Sequence, residues 1–493
     1  MGAGSVLRQT LCYAAGIAVA KGIGLAMIPF VTRMLPPADY ARLELLASVA
    51  DVGGVLLGMG IVDTLYRFTA ATDTAASRRA IAAEITGLAL LLAGLFLILG
   101  QILAPLLAGL LPGGLGVTDL RLLLISLALT ATIELPLAWL RLNERAFAFL
   151  CLGAGKAIVQ AGLSLGALAA GWGVTGVVAA GAAVDVALVI LLITLQSRST
   201  GLTIRLARFV DLLRYGGPLV LGGVAAFVLG SCDRWFLADT VPASDLAHYA
   251  LAGKFALAAA LLLQPFDLWW YPRRQMILTE PGGIARSARI VGTGLALTIL
   301  AATTAAVVGP LAIRLLTPPA YHAATVWLPW LAAIAAMHAA CSLVNVGCYI
   351  GRTGTLPMLV TAMAALVALV GYTLLVPTLG VAGAVYATLI AQTVRLALFY
   401  ILGRQRAPIP YPLARLALLA VAAVGSVALL AISPHSGVAA LTVATTGVLA
   451  GLAILAVLLR LVPLPLPFPQ WPQLRARFSP AAGQAGRMAL GRE

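Results

Sequence analysis

Stretches of about 20 apolar residues recur along the whole chain, each long enough to cross a hydrocarbon core about 30 Å thick. Inside lipid the backbone finds no water, so every N–H and C=O must bond within its own segment, and these runs must be helices. Of the 493 residues 61% are hydrophobic and 10% charged, whereas soluble domains carry roughly 25% charged residues. The expected fold is therefore an all-α polytopic membrane protein of about 14 spans. They fall near 11–32, 44–66, 84–106, 120–140, 147–168, 174–195, 215–237, 247–270, 290–312, 325–350, 356–376, 381–402, 415–432 and 437–460. The first run is long enough to span, and no short apolar segment with a small-residue cleavage site precedes it, so no cleaved leader is expected.

Charge orients the spans. With the N-terminus in the cytoplasm, 23 arginines fall in cytoplasmic segments and five (Arg33, Arg42, Arg121, Arg234 and Arg314) on the opposite side. Such a bias predicts that both termini are cytoplasmic. The net charge of +15 is thereby mostly topological. No soluble basic domain exists to carry a nucleic-acid site, so no nucleic-acid partner is expected. The five cysteines lie in or beside apolar runs without metal-ligand spacing, and Cys341 with Cys348 reads as helix packing. Neither a disulfide framework, a metal nor a cofactor is expected. The glycine-rich run 162–171 reads as close helix packing, since no phosphate-loop signature accompanies it.

The chain repeats itself. A shift of 207 lays "GVTGVVAA" (173–180) on "GVAGAVYA" (380–387) and Arg145 on Arg352; a shift of 206 lays "ADYARLEL" (38–45) on "SDLAHYAL" (244–251) and Arg67 on Arg273. Six spans per copy give both copies one orientation, related by a pseudo-two-fold axis along the membrane normal with a cavity between the lobes. The expected domains are an N-terminal lobe (1–195), a cytoplasmic linker (196–214) that could include an interfacial helix, and a C-terminal lobe (215–402). Two extra helices (403–462) and a Pro-rich, basic cytoplasmic tail (463–493) follow.

Residues 7–68 resemble the opening of polysaccharide flippases of the multidrug/oligosaccharidyl-lipid/polysaccharide (MOP) exporter superfamily. The likeness rests on Lys21 in the first helix, the turn of Arg33, Pro37 and Tyr40, and the helix end from Gly60 to Phe68. It continues in Asp233 and Arg234 within "SCDRWFLAD" and in the following "ASDLAHYALAGKFAL". Ala41 and Ala247 depart from it, since the family often has glycine there. The resemblance implies no enzyme. It implies a transporter that moves a polyprenyl-pyrophosphate-linked oligosaccharide from the cytoplasmic to the outer leaflet of a Gram-negative inner membrane. The glycan would serve surface polysaccharide or lipopolysaccharide biosynthesis, with glycosyltransferases and a glycan polymerase as partners. A multidrug cation antiporter of the same superfamily is the alternative, although intramembrane cations oppose it. A membrane glycan polymerase or ligase comes third, since the extracytoplasmic loops are of linker length.

The protein has three lysines, Lys21, Lys156 and Lys254, and all lie inside apolar spans, as does Arg395. A substrate pyrophosphate needs cations, and a charge at mid-bilayer is retained where it is used or paired. Each of the four is a candidate substrate contact, with a structural ion pair or snorkelling as the competing role. Arg67 and Arg273 are candidates for first capture of the pyrophosphate, or else positive-inside anchors. Asp51, Glu134 and Asp185 are candidate counter-charges or proton carriers, and Asp233–Arg234 reads as a latch or an interfacial pair. His338 and Asn345 share a helical face and read as helix–helix hydrogen bonding. Asp185 falls on Gln392 in the second repeat, so the lobes differ electrostatically.

Overall fold

A computed structural model describes residues 3–70, 72–205, 209–350, 355–432 and 438–462. Among them there is no strand. The first lobe comprises α1 (Ala3–Met34), α2 (Pro37–Ala70), α3 (Ala75–Leu110), α4 (Val117–Leu142), α5 (Ala146–Ala169) and α6 (Gly173–Thr200). The second has α7 (Phe209–Gly230), α8 (Asp233–Ala238), α9 (Ala243–Trp270), α10 (Arg274–Thr279), α11 (Gly283–Leu316), α12 (Leu328–Val344), α13 (Thr355–Leu379) and α14 (Val381–Arg406). Short 3-10 turns flank α12 at Pro319–Val326 and Asn345–Tyr349, and α15 (Leu413–Ile432) and α16 (Val438–Leu458) complete the chain.

Eleven helices are long and apolar enough to cross a membrane, and α9 makes twelve if its two bent halves are one span. The 47° bend in α9 lies just before Pro265, whose ring displaces the Leu261 carbonyl and supplies no N–H to it. The other two expected spans, 11–32 and 215–237, fall on α1 and α7, which are helical but outside that count. Within the stretch 196–214, α6 continues to Thr200 and α7 begins at Phe209, and residues 201–205 belong to neither helix nor strand. The tail 463–493, Arg352 and the turn at 433–437 lie outside the described residues.

Turn chemistry delimits the helices. Pro37 opens α2, where its missing N–H costs nothing. Thr74 caps α3 by accepting a hydrogen bond from the Ser77 N–H at 3.1 Å. Gly171 and Gly173 take φ values of 78° and 59° in the tight turn between α5 and α6, a region closed to most side chains.

The repeat is visible in packing. In the first lobe α1 packs on α5, α2 on α3 and α4, α3 on α4, α4 on α6, and α5 on α6. Each pair has its equivalent in the second: α7 on α13, α9 on α11 and α12, α11 on α12, α12 on α14, and α13 on α14. The extra helices α15 and α16 pack outside this scheme, against α11.

One polar cluster ties the first lobe together. Asp119, fully buried at the start of α4, pairs with Arg42 of α2 and accepts the Thr175 hydroxyl of α6 at 2.6 Å. The Arg42 side chain is 38% exposed, so it can turn to water where Asp119 cannot. Arg42→Gln strands a buried carboxylate and should cost about 3 kcal/mol, whereas Asp119→Asn should cost about 1 kcal/mol. Thermal unfolding of the two purified variants reads this order, and equal losses would contradict the assignment.

Candidate functional site

The lobes meet differently at their two ends. At the arginine-poor end one apolar core is built from both: Ile28, Tyr40 and Leu46 pack with Phe227, Tyr249, Tyr321 and Tyr372. At the arginine-rich end the cores are separate. Ile61, Leu65, Ile85, Leu135 and Trp139 cluster within the first lobe, and Trp270, Ile277, Val291, Leu343 and Val346 within the second. One interlobe approach persists there, where Gly60 of α2 meets Gly216 of α7; a Cβ on Gly60 would lie 2.8 Å from the Gly216 Cα. Glycine at both positions is what permits that crossing.

Polar contacts ring the shared core. The Tyr321 hydroxyl donates to the Leu35 carbonyl at 2.7 Å, and the Gly113 N–H donates to Asp239 at 2.9 Å. Burial, reinforced by the Asp39 carboxylate, pushes the Tyr321 phenol above its ordinary range, which keeps it a donor. The Trp235 indole N–H donates to Ser48 at 2.8 Å, and the Ser231 hydroxyl donates to Asp51 at 2.9 Å. Deepest in the seam, Lys254 of α9 pairs with Glu44 of α2, whose side chain is 4% exposed. The ammonium also stands 5.4 Å from the centre of the Tyr40 ring.

The intramembrane cations divide into two classes. Lys156 is neutralised within the first lobe by Asp185 at 2.7 Å, and Lys254 is neutralised by Glu44. Lys21 and Arg395 make no ion pair with a carboxylate among the described residues. Lys21 is exposed, about 20 Å along α1 from Met34. Val19, Phe30 and Met34 form the outward stripe of α1, and Lys21 lies on the opposite face, about 200° round the axis from Val19. That face carries Ile28, Thr32 and Leu35, all buried where the lobes share a core. The same face is therefore buried near the arginine-poor end and open at Lys21.

Of the other candidates, Asp51 is exposed although it sits mid-helix, with its carboxylate turned to Ser231 of the second lobe. Glu134 stays within its own helix, 3.8 Å from Arg141. Asp233 accepts the Tyr249 hydroxyl and the Arg234 backbone N–H, with the Arg234 guanidinium 3.8 Å away. Arg67 ends α2. Arg273, in the α9–α10 turn, donates to the Trp269 carbonyl at 2.9 Å and lies 5.8 Å from its ring. His338 and Asn345 do not act together: His338 faces Arg395 of α14, and Asn345 accepts from the buried Arg274 at 2.9 Å. No group of three His, Cys, Asp or Glu side chains gathers to hold a metal among the described residues.

Glu44, Arg42, Asp119 and Arg274 were not anticipated from the sequence. Glu44 is the first residue of its expected span, where a carboxylate reads as a solvated boundary. The missed signal was its place in the motif that repeats at 244–251, four residues after Tyr40.

The family model for polysaccharide biosynthesis proteins matches residues 6–277. No curated protein matches the chain. Among solved structures, the lipid II flippase MurJ in an inward closed conformation aligns with 91% of this chain and 99% of its own, at 11% identity and a TM-score of 0.72. A Vibrio cholerae MATE transporter aligns with 82% of this chain and 96% of its own (13% identity, TM-score 0.53). A MOP-superfamily transporter of Pyrococcus furiosus aligns with 82% and 95% (16% identity, TM-score 0.52). Because the family model covers more than half of its length, the chain belongs to the polysaccharide biosynthesis protein family, as a multi-pass membrane protein with the fold of MOP-superfamily transporters.

Proposed function

We propose that the protein flips a polyprenyl-pyrophosphate-linked oligosaccharide from the cytoplasmic to the outer leaflet by alternating access. The observation that carries this reading is the face of α1, buried at Ile28 and Thr32 but open at the uncompensated Lys21. A cation there can meet a pyrophosphate between the lobes while the polyprenyl tail stays in lipid. Lysine suits an anion that must be bound and then released, because it is a compact point charge on a movable stem. The fold shared with a protein described as a lipid II flippase supports a lipid-linked substrate. The engagement of the interlobe carboxylates Glu44 and Asp51 by Lys254 and Ser231 weighs against a cation antiporter.

In this reading Arg67 and Arg273, at the arginine-rich end, receive the pyrophosphate, and Lys21 holds it. The seam of Glu44–Lys254, Asp51–Ser231 and Ser48–Trp235 then parts to release it. Fourteen crossings, two lobes at 1–195 and 215–402, and a Gram-negative inner-membrane location with both termini cytoplasmic complete the proposal. Glycosyltransferases would supply the substrate and a polymerase would consume it.

Orientation is tested by reporter fusions. Those at Trp172 and Thr378 should report the outer side and one after Arg145 the cytoplasm; a cytoplasmic signal at Thr378 would break the fourteen-span topology. Lys21→Ala should lower flipping of a lipid-linked oligosaccharide in proteoliposomes about 10- to 100-fold, the equivalent of a lost charged hydrogen bond, with unchanged melting. Lys21→Arg should retain part of the activity, and Lys21→Glu should be worse than alanine. Wild-type flipping by Lys21→Ala would refute the role.

The seam has its own reporter in Cys232, a buried thiol of the shared core. Glu44→Gln or Lys254→Gln should raise its modification by a membrane-impermeant maleimide several-fold. The exchange Glu44→Lys with Lys254→Glu should restore protection. If each single variant protects Cys232 as well as wild type, the ion pair does not hold the seam.

A further inference from the structure

Arg395 presents a problem that the interlobe site does not solve. It lies midway along α14, across the helix from the outward stripe of Tyr386, Ile390 and Ile401, so it points into the second lobe rather than to lipid. Among the described residues it makes no ion pair. Its surroundings are the Phe399 ring, whose centre is 5.5 Å away, and His338 of α12, with Nη1 to Nδ1 at 3.4 Å. A guanidinium has no acceptor, so in this contact the His338 Nδ1 supplies the lone pair. One turn along α14, Gln392 is fully buried, and its Oε1 and backbone carbonyl each lie 4.0 Å from the Cys341 thiol.

The unmet hydrogen-bonding capacity of this cluster is of one kind. The buried Arg395 Nε and the buried Gln392 Nε2 have no partner among the described residues, and both are donors. The acceptors nearby, His338 Nδ1 and Gln392 Oε1, already face Arg395 and the Cys341 thiol. Buried donors left open beside an uncompensated positive charge are costly unless an acceptor arrives. The repeat sharpens the contrast, because a shift of 207 lays Gln392 on Asp185. In the first lobe that carboxylate neutralises Lys156; in the second an amide stands there, and the arginine is left without a counter-charge.

We infer that Arg395, Gln392 and His338 form an anion site inside the C-terminal lobe, distinct from the interlobe face that carries Lys21. Its ligand is an acceptor-only oxyanion of phosphate type, reaching the cluster from the exposed His338 side, with Arg395 as the charge and the Gln392 amide as the neutral donor. The anion can come from two sources, free inorganic phosphate or the phosphate of a prenyl diphosphate. Occupancy is read on purified protein without transport, so this inference and the flippase reading fail independently.

The test is thermal unfolding of the full chain in detergent at constant ionic strength, with sodium gluconate exchanged for sodium phosphate or, separately, with farnesyl diphosphate added against farnesol. Phosphate should raise Tm by about 2 °C at saturation. If farnesyl diphosphate alone does so and farnesol does not, the site takes the lipid-linked phosphate. Arg395→Gln should abolish the increment. Gln392→Glu, which gives Arg395 an internal carboxylate, should also abolish it while leaving the starting Tm at or above that of wild type. Because each increment is measured within one variant, a less stable variant still gives an answer. No increment from either anion in wild type, or equal increments in both variants, would overturn the site.

Discussion

A charge inside hydrocarbon must find a partner or water, and this rule organises the protein. On insertion scales an unpaired lysine or arginine at mid-bilayer costs about 2.5–3.5 kcal/mol. Lys156 and Lys254 meet that demand with Asp185 and Glu44. Lys21 makes no ion pair among the described residues, and it is exposed on a face of α1 that is buried nearer Met34.

At the arginine-poor end the two lobes share one core. Its apolar part mixes alanines such as Ala41, Ala225, Ala247 and Ala252 with large aliphatic side chains such as Leu35, Leu46 and Leu246 and a few large rings. The alanines let the helices approach closely. The Glu44–Lys254 pair adds orientation more than stability, because desolvating two charges offsets much of their attraction. Lys254 is 38% exposed against 4% for Glu44, so of the two partners the lysine is the one that reaches the surface.

Much of this was legible in the sequence, and the reasons are physical. Apolar run length fixes helices, so expected spans such as 147–168 and 381–402 fall within α5 and α14. The repeat offset foretold which helices pair, because duplicated patterns bury equivalent faces. Lys156 with Asp185 was accessible as two charges inside adjacent spans. The partner of Lys254 was not, because Glu44 reads as a boundary residue until the bend in α9 and the shared core bring α2 against it. His338 and Asn345 each make the interhelix hydrogen bond expected of them, but their partners, Arg395 and Arg274, could not be read from the face alone. Sequence periodicity carries faces, whereas partners across lobes depend on how the lobes meet.

The duplication has kept geometry and changed charge. The main helix pairs of the first lobe recur in the second, so the packing rules that fix the lobe have been retained. At equivalent positions Asp185 became or came from Gln392, and Leu188 faces Arg395 across the same shift of 207. A lobe with an internal lysine–aspartate pair is electrostatically closed and can move as a rigid body at little cost. A lobe with a lone arginine and open amide donors changes its energy whenever an anion enters or leaves. In a symmetric protein both halves would respond alike, and nothing would give the cycle a sense. Here a cation that makes no ion pair among the described residues lies in each half, exposed on α1 in the first and beside His338 and Gln392 in the second, so the two halves face an anion with different surroundings.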